Sequence, residues 1–374
     1  MNFLFIASYP DSIINFRGAL IDDLISKGIQ VSVAIPKMKK NSKTYMQLLQ
    51  KGVHIYEIPL KRKSMNPIMD IYLLLILIRL IKKIQPYYVL SYTIKPVIYG
   101  SMAARFAGVP NTYCLITGLG NIFIKQNKIK YHLLKSIAIK MYSVAFLRVN
   151  KVFFQNSDDQ ELLENLGVIS TPNNSVVVNG SGVDTLSFLP APFPKKITFL
   201  LIARLLKSKG IIEYAKAAAI VKKKYPYVQF QLVGWLDGKS DSISKHELND
   251  WIKSGTIEYL GVIEDIKTVI SNCSVYVLPS FYGEGTPRTI LEAMSMGRPI
   301  ITTNVAGCRQ TTIDGENGVI VPAKCVDKLV EAMSFFITSS EMISTMGLAS
   351  RRIAEKKYDV RKVNAIMMKE MDLC

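Results

Sequence analysis

Two glutamates, eight residues apart, are the residues of this chain whose type and spacing most strongly suggest chemistry. They occur in YGEGTPRTILEAMSMGRP, residues 282–299, where Glu284 lies in a glycine-flanked turn and Glu292 in an otherwise apolar helical run. Carboxylates accept hydrogen bonds from sugar hydroxyl groups, and free backbone N–H groups at a helix start can bind phosphate. On spacing alone, a solvated turn residue and a surface helix residue explain the pair equally well.

A strand, a turn and a helix are predicted to position these carboxylates. The run VYVLPS predicts a strand, residues 280–285 a turn, and Thr286 with Pro287 an N-cap followed by proline at the first helical position. Helical side chains lean toward the N-terminus of their helix. We therefore expect Glu292 to point back toward the turn that holds Glu284.

A second motif supplies cations. The segment IARLLKSKG follows another predicted strand and carries Arg204 and Lys209. Arginine offers a planar fork of donors and lysine a point charge, so together they could bind a diphosphate at the end of that strand. Ordinary surface cations before a helix are the alternative.

Short β-branched runs alternate with helical periodicity along the whole chain, which predicts an α/β fold of two doubly wound, Rossmann-like parallel-sheet domains. Three prolines in FLPAPFPKK mark a linker near residues 186–196. The predicted domains are residues 1–185 and 186–350, and a helix over 351–374 could cross back to the first. Because such sheets bind ligands at the carboxyl ends of their strands, we expect the site in the cleft between the domains.

Composition and absent motifs exclude several classes of protein. The chain has 374 residues, 49% hydrophobic and 20% charged, as expected for a globular protein with a sizeable core. Five scattered cysteines form no CxxC pair and three isolated histidines no metal-ligand spacing, which favours reduced thiols in the cytoplasm and no metal site. GxGxxG after a first strand, the P-loop, DxD and GxSxG are missing, so dehydrogenases, metal-chelated nucleotide chemistry and acyl hydrolysis are disfavoured.

The net charge of +18 predicts an anionic partner. Residues 71–157 contain twelve basic residues and no acidic one. Within them, residues 128–148 mix basic and apolar positions at helical spacing, as membrane-surface helices do, although an ordinary solvated helix face would look similar. Residues 71–84, IYLLLILIRLIKKI, are predicted to pack in the core. The apolar stretch 68–81 is too short to span a bilayer, which takes roughly 20 residues.

Several segments, in order, resemble one family. EGTPRTILEAM with GRPIITT and GCRQ, the segment IARLLKSKG, and NGSGVD at residues 179–184 resemble retaining GT-B glycosyltransferases of family 4. SYTIKPVIYGSMAA and ITGLGNIF resemble the branch that builds bacterial surface polysaccharides on a polyprenyl diphosphate carrier. The resemblance covers nearly the whole chain. It departs in the first domain, which lacks the GG dipeptide of many members, and at Gln310, where glutamate commonly follows GCR.

The resemblance implies a role for each donor-side residue. Glu292 would hold the ribose hydroxyls, Glu284 the hydroxyls of the donor sugar, and Arg204 and Lys209 the diphosphate, without a metal or other cofactor. In front-face attack, the departing phosphate would itself take the proton of the acceptor hydroxyl, so we expect no protein side chain to act as general base. Backbone groups of Gly285, Thr286 and Pro287 would complete the binding site for the sugar and phosphate. Gly234 and Gly261 would flank the nucleotide base.

Acceptor residues are expected in the first domain. Arg17 is predicted to open the first helix, and Lys95 follows the fourth strand. Both could contact a lipid-linked diphosphate, but each could equally be an ordinary helix-start residue. The fifth strand is followed by four further candidates: Thr117, Gly118, Gly120 and Asn121.

The resemblance therefore implies a metal-independent, retaining hexosyltransferase. Its donor would be a UDP-sugar and its acceptor a polyprenyl-diphosphate-linked saccharide. The protein would lie peripherally on the anionic inner face of the cell membrane and bind no nucleic acid. Three alternatives stay open: a GT-B epimerase or hydrolase with a protein acid/base, a basic nucleic-acid- or membrane-binding protein, and an inert partner subunit.

Overall fold

The chain forms two compact units. The computed structural model describes residues 1–62, 66–120, 123, 129–169, 174–238 and 241–373. One unit comprises Met1–Ser181 together with Arg361–Cys374, and the other comprises Gly182–Val360.

A parallel sheet organises the first unit. In chain order its strands are β1 (Asn2–Ile6), β2 (Gln30–Pro36), β3 (His54–Ile58), β4 (Tyr88–Tyr92), β5 (Asn111–Ile116), β6 (Lys151–Phe154) and β7 (Ser175–Val177). Across the described residues the sheet has seven strands in the order β3-β2-β1-β4-β5-β6-β7. Because β1 pairs with both β2 and β4, the strand order reverses between β1 and β4.

Helices cover both faces of this sheet. They are α1 (Asp11–Ser26), α2 (Lys43–Gln50), α3 (Pro67–Ile84), α4 (Ser101–Ala107, after a π-helical turn Pro96–Gly100), α5 (Ile129–Ala145), α6 (Ser157–Asn165) and α13 (Val360–Glu370). Strand side chains alternate between faces. Phe3 and Phe5 of β1 therefore pack in one core with α1, α2 and α13, while Leu4 and Ile6 pack in another with α3 and α4.

The last helix packs on the first unit. Val363 and Met367 of α13 are buried in the same core as α1. Nδ2 of Asn364 donates to Oδ2 of Asp23 over 2.7 Å, and Lys151 pairs with Glu370 at 3.0 Å. These contacts attach the C-terminal segment to the sheet where the chain begins.

A second parallel sheet organises the other unit. Its strands are β8 (Thr198–Ile202), β9 (Gln229–Val233), β10 (Glu258–Tyr259), β11 (Val275–Leu278), β12 (Ile300–Thr303) and β13 (Gly318–Val321). Its helices are α7 (Ile211–Lys224), α8 (Lys245–Lys253), α9 (Ile266–Ser271), α10 (Arg288–Ser295), α11 (Val326–Thr338) and α12 (Glu341–Ile353). The strand order is β10-β9-β8-β11-β12-β13 over the part that the structure describes. The predicted α/β class with two Rossmann-like sheets is confirmed.

Candidate functional site

The loops after β8 and β11 carry the predicted donor residues and are neighbours. β8 pairs with β9 on one side and with β11 on the other, so the strand order of the second sheet reverses between β8 and β11. Open α/β sheets bind ligands at the carboxyl ends of their strands at such a reversal. Arg204 and Lys209 follow β8, and Glu284 follows β11. The candidate site is this carboxyl edge.

Glu284 and Lys209 form an ion pair at this edge. Nζ of Lys209 contacts Oε1 of Glu284, and Oγ of Ser280 donates to the same oxygen over 3.2 Å. The lysine and glutamate side chains are only 12% and 13% exposed. Because little water surrounds the pair, its electrostatic interaction is stronger than that of a pair at an open surface. A cation suited to phosphate and a carboxylate suited to hydroxyl groups are thus in direct contact.

Arg204 lies on the same loop with a different partner. Its Nη1 is 3.3 Å from Oδ2 of Asp237, which follows β9. The backbone N–H of Leu205 donates to the carbonyl of Trp235 over 3.0 Å, which holds the two loops together. A guanidinium has five N–H donors in a planar fork, so the Asp237 contact leaves donors that can bind a phosphate.

Glu292 is buried on α10. It is 5% exposed, and its Oε1 accepts from Nε of Arg288 over 2.8 Å. Burial raises the pKa of the Glu292 carboxyl, and the charge and hydrogen bond of Arg288 oppose that rise. The predicted cap was wrong by one residue, because Pro287 has an extended ψ of 113° and is itself the N-cap, before a helix that begins at Arg288. Glu292 therefore lies one turn into α10, four residues after its cation.

Gly234 and Gly261, predicted to flank a base, join two loops of this edge. The N–H of Gly234 donates to the carbonyl of Gly261 over 2.8 Å, and the hydroxyl of Tyr259 donates to the carbonyl of Gly234 over 2.8 Å. Gly234 has φ of 147°, and a Cβ there would be 1.8 Å from the carbonyl oxygen of Ala203. Only glycine allows this close approach of β8 and β9 at the candidate site.

Some residues of the site were not predicted from the sequence. Arg288 could have been found, because it precedes Glu292 by four residues on a predicted helix. Asp237 could not, since its contact with Arg204 depends on strand order. Gly307 could not either: with φ of 77°, a Cβ on it would lie 2.6 Å from the carbonyl oxygen of Glu284 and 2.2 Å from that of Gly285. The segment after β12 therefore packs directly against the backbone of the glutamate turn.

On the first unit, the prediction that Arg17 opens a helix was wrong. Helix α1 begins at Asp11, directly after Pro10, so Arg17 lies in its second turn. Arg17 is 1% exposed, and its guanidinium carbon is 5.6 Å from the ring centroid of Tyr92 at the end of β4. The helix starts earlier because a proline followed by an acidic first turn is a start signal. Arg17 is a buried cation over an aromatic ring.

Lys95 is located after β4, as predicted, and is charge-balanced there. Its Nζ contacts Oδ1 of Asp70, whose other carboxylate oxygen accepts from the hydroxyl of Tyr99 over 3.0 Å. The side chains of Lys95 and Asp70 are 15% and 14% exposed. An acceptor diphosphate would therefore have to compete with Asp70 for this lysine.

The loop after β5 contains the other acceptor candidates. Thr117, Gly118 and Gly120 lie in the loop that begins directly after Ile116. The backbone angle φ is 109° at Gly118 and 68° at Gly120. Asn121 lies outside the described residues. The backbone of Leu119 hydrogen-bonds to the buried carboxyl of Asp159 in α6.

That carboxyl titrates abnormally. Burial raises the pKa of Asp159 to about 7, against the opposing hydrogen bond from Nδ2 of Asn156 at 2.9 Å. A carboxyl that is partly protonated near neutral pH thus supports the Thr117–Gly120 backbone.

Comparisons with known proteins agree with this architecture. Residues 196–339 match a family described as glycosyl transferases group 1, and residues 11–156 match one described as glycosyl transferase 4-like. The chain is 28% identical over 352 residues, 90% of each chain, to N,N'-diacetylbacillosaminyl-diphospho-undecaprenol alpha-1,3-N-acetylgalactosaminyltransferase of Campylobacter jejuni. It is 26% identical over 340 residues to UDP-Gal:alpha-D-GlcNAc-diphosphoundecaprenol alpha-1,3-galactosyltransferase of Escherichia coli, covering 86% of this chain and 84% of that one.

A solved structure is similar over its whole length. The Anabaena Alr3699/HepE protein in complex with UDP and glucose superposes with a TM-score of 0.80 at 17% identity, covering 100% of both chains. At this identity the likeness concerns the fold, which is GT-B.

Proposed function

Because this chain belongs to the glycosyltransferases, with a 4-like domain followed by a group 1 domain, we propose that it transfers a hexose or N-acetylhexosamine from a UDP-sugar to a polyprenyl-diphosphate-linked saccharide. Two relatives that match most of the chain carry names describing transfer to diphospho-undecaprenol-linked sugars. The Anabaena structure of the same fold contains UDP and glucose. These names and ligands support both substrate classes for this chain.

The contact between Lys209 and Glu284 is the observation that carries the proposal. In a nucleotide sugar, one oxygen joins the anomeric carbon to the terminal phosphorus. A site for it therefore needs a phosphate-binding cation and a hydroxyl-binding group only a few ångströms apart. This pair meets that requirement, and Glu292 offers a separate buried carboxylate for ribose hydroxyls.

The residues of the site supply electrostatics for the transfer. The bond from the anomeric carbon to the phosphate oxygen breaks, and a bond to an acceptor hydroxyl oxygen forms on the same face. The electron pair leaves on the diphosphate, which takes the acceptor proton. Arg204 and Lys209 would stabilise the growing negative charge on the diphosphate, where fixed cations are most effective in a site of low polarity. With these two cations in place, we propose that transfer requires no metal ion.

A product screen tests the proposal. The purified full-length protein is incubated with UDP-, GDP- and ADP-sugars and a short polyprenyl-diphosphate-linked monosaccharide, with and without chelator. We expect transfer from one UDP-sugar at the same rate in chelator, with the anomeric configuration of the donor kept in the product. We expect loss of transfer in Glu284→Gln and normal transfer in Glu316→Gln, a substitution of an exposed loop glutamate.

Three outcomes would contradict the proposal: no transfer from any UDP-sugar, loss of transfer in chelator, or inversion of configuration.

We further propose that the protein works at the inner face of the cell membrane, where a polyprenyl carrier is accessible. Within the described residues, none of the helices combines the length and apolar character needed to cross a membrane.

A further inference from the structure

Helix α3 is apolar on two opposite faces. Its inward residues belong to the core under the first sheet: Leu73, Leu77 and Ile81. Its outward residues, spaced so that they form one stripe, are 76%, 59%, 49% and 50% exposed in chain order: Ile68, Ile71, Tyr72 and Leu75. Core packing, predicted for this segment, therefore describes only one of the two faces. Four large exposed side chains in a row on one helix are unusual for a surface that meets only water.

Basic residues continue the outward stripe. Arg79, Lys82 and Lys83 occupy the last turns of α3 and are exposed. The acidic residue of α3, Asp70, is directed to Lys95 and Tyr99 and is only 14% exposed. The outward face of α3 is thus apolar in its first half and cationic in its second.

Neighbouring helices extend the same character. Helices α3 and α4 belong to one hydrophobic core, and the π-helical turn before α4 belongs to a second core together with α5. All three helices therefore pack on the same side of the first sheet. Their exposed apolar residues are Phe106 of α4, Leu133, Ile137 and Val144 of α5, and Leu147 just after it. Exposed basic residues beside them are Lys140 and Arg148. We call this surface, together with the α3 stripe, the α3–α5 face.

We propose that the α3–α5 face docks on a lipid bilayer with anionic headgroups. Exposed apolar side chains flanked by cations match the boundary between acyl chains and headgroups. Among the described residues, the face exposes five cations and its acidic residue, Asp70, pairs with Lys95, so the face complements a negative surface. The five cations are Arg79, Lys82, Lys83, Lys140 and Arg148. Pairing of this face with itself in a second copy would bring like charges together, which disfavours a dimer.

Docking of this face would serve access to a lipid-linked acceptor. Helix α3 starts after β3 and the Thr117–Gly120 loop follows β5, so both are located at the carboxyl edge of the first sheet. The apolar half of the α3 stripe is the half next to that edge. Docking through it would hold the edge near the headgroups. The bilayer contact itself is independent of sugar transfer.

Vesicle sedimentation with matched variants tests the proposal. We compare binding to phosphatidylglycerol–phosphatidylcholine vesicles with binding to phosphatidylcholine vesicles. One variant, Ile71→Gln with Leu75→Gln, removes apolar side chains, and another, Lys82→Gln with Lys83→Gln, removes charges. The control is Lys223→Gln with Lys224→Gln, an exposed pair in the last turn of α7 in the other unit.

We expect binding only to the anionic vesicles. Each lysine near an anionic surface strengthens binding about fivefold, so the Lys82/Lys83 variant should bind roughly 25-fold more weakly. The Ile71/Leu75 variant should also bind more weakly, and the control should bind like the wild type. All variants should transfer sugar to a water-soluble acceptor at the wild-type rate, which separates this proposal from the proposed activity.

Several results would overturn the proposal. Equal weakening in both lysine variants would mean a diffuse charge effect without a docking face. Unchanged binding in the Ile71/Leu75 variant would mean that the apolar stripe does not enter the bilayer. A wild-type dimer that this variant dissociates, without any effect on vesicle binding, would assign the stripe to a second copy of the chain. Tight binding to an oligonucleotide with none to vesicles would assign the charge to nucleic acid.

Discussion

Gly307 allows a direct test of how the candidate site is held in place. An alanine Cβ there would lie 2.2 Å from the carbonyl oxygen of Gly285 and 2.6 Å from that of Glu284. Ordinary van der Waals contact begins at 3.4 Å, so the glutamate turn must move by about 1 Å. Backbone cannot yield as a flexible side chain does. A displacement of this size at a reacting centre costs about 100-fold in rate.

Gly315 is the matched control for Gly307→Ala. It has the same φ of 77°, but nothing lies within 4 Å of the point that a Cβ would occupy, so Gly315→Ala introduces the backbone strain without the collision. The left-handed conformation costs a non-glycine residue about 1–2 kcal/mol. The free energy of unfolding of both variants should therefore be lower than that of the wild type by about this amount.

The assay is kcat/KM for sugar transfer together with the Kd for UDP. We expect Gly307→Ala to lower kcat/KM about 100-fold while UDP affinity changes little, because Glu292 lies on α10 and does not depend on the turn. Gly315→Ala should keep wild-type kcat/KM. If kcat/KM in Gly307→Ala stays within about threefold of that in Gly315→Ala, the turn does not need this close packing and the reasoning is refuted.

Three further predictions concern charged groups. Lys209→Met should lower kcat by about 100-fold or more, as loss of a fixed stabilising group does, while Lys207→Met in the same turn leaves kcat unchanged; equal effects would contradict the role of Lys209. Arg288→Gln should raise the pKa of Glu292 further, since Arg288 opposes the effect of burial. As the pH is lowered, UDP binding by this variant should therefore begin to weaken at a higher pH than UDP binding by the wild type. The pKa of Asp159 is raised to about 7, so its protonated form is favoured in the folded state. Its contribution to the free energy of unfolding is therefore full below about pH 4 and is lost as the pH rises through 7. Denaturant titration should show that Asp159→Asn lacks this part of the pH dependence, and an unchanged slope would contradict the assignment.

The positions of the proposed donor residues were largely predictable because the signals that place them are local. Strand periodicity and turn residues located the end of β8 before Arg204 and Lys209, and the end of β11 before Glu284. Parallel sheets carry ligands at such ends, so these residues could be nominated without knowing the strand order. The surroundings of the proposed acceptor residues were less predictable, since Arg17 is an ordinary helical position in the sequence and only packing shows that it is buried.

The sequence by itself determined the alternation of strands and helices, the excess of positive charge in residues 71–157, and the residue types available at each strand end. Those properties depend on neighbours a few positions apart along the chain. Tertiary structure decided which of these residues meet. Lys209 contacts Glu284, 75 positions away, because β11 pairs with β8 and not with β10, the strand that precedes it in the sequence. Packing likewise distinguishes the two faces of α3: periodicity shows that both are apolar, but only packing against the sheet shows which one is left exposed.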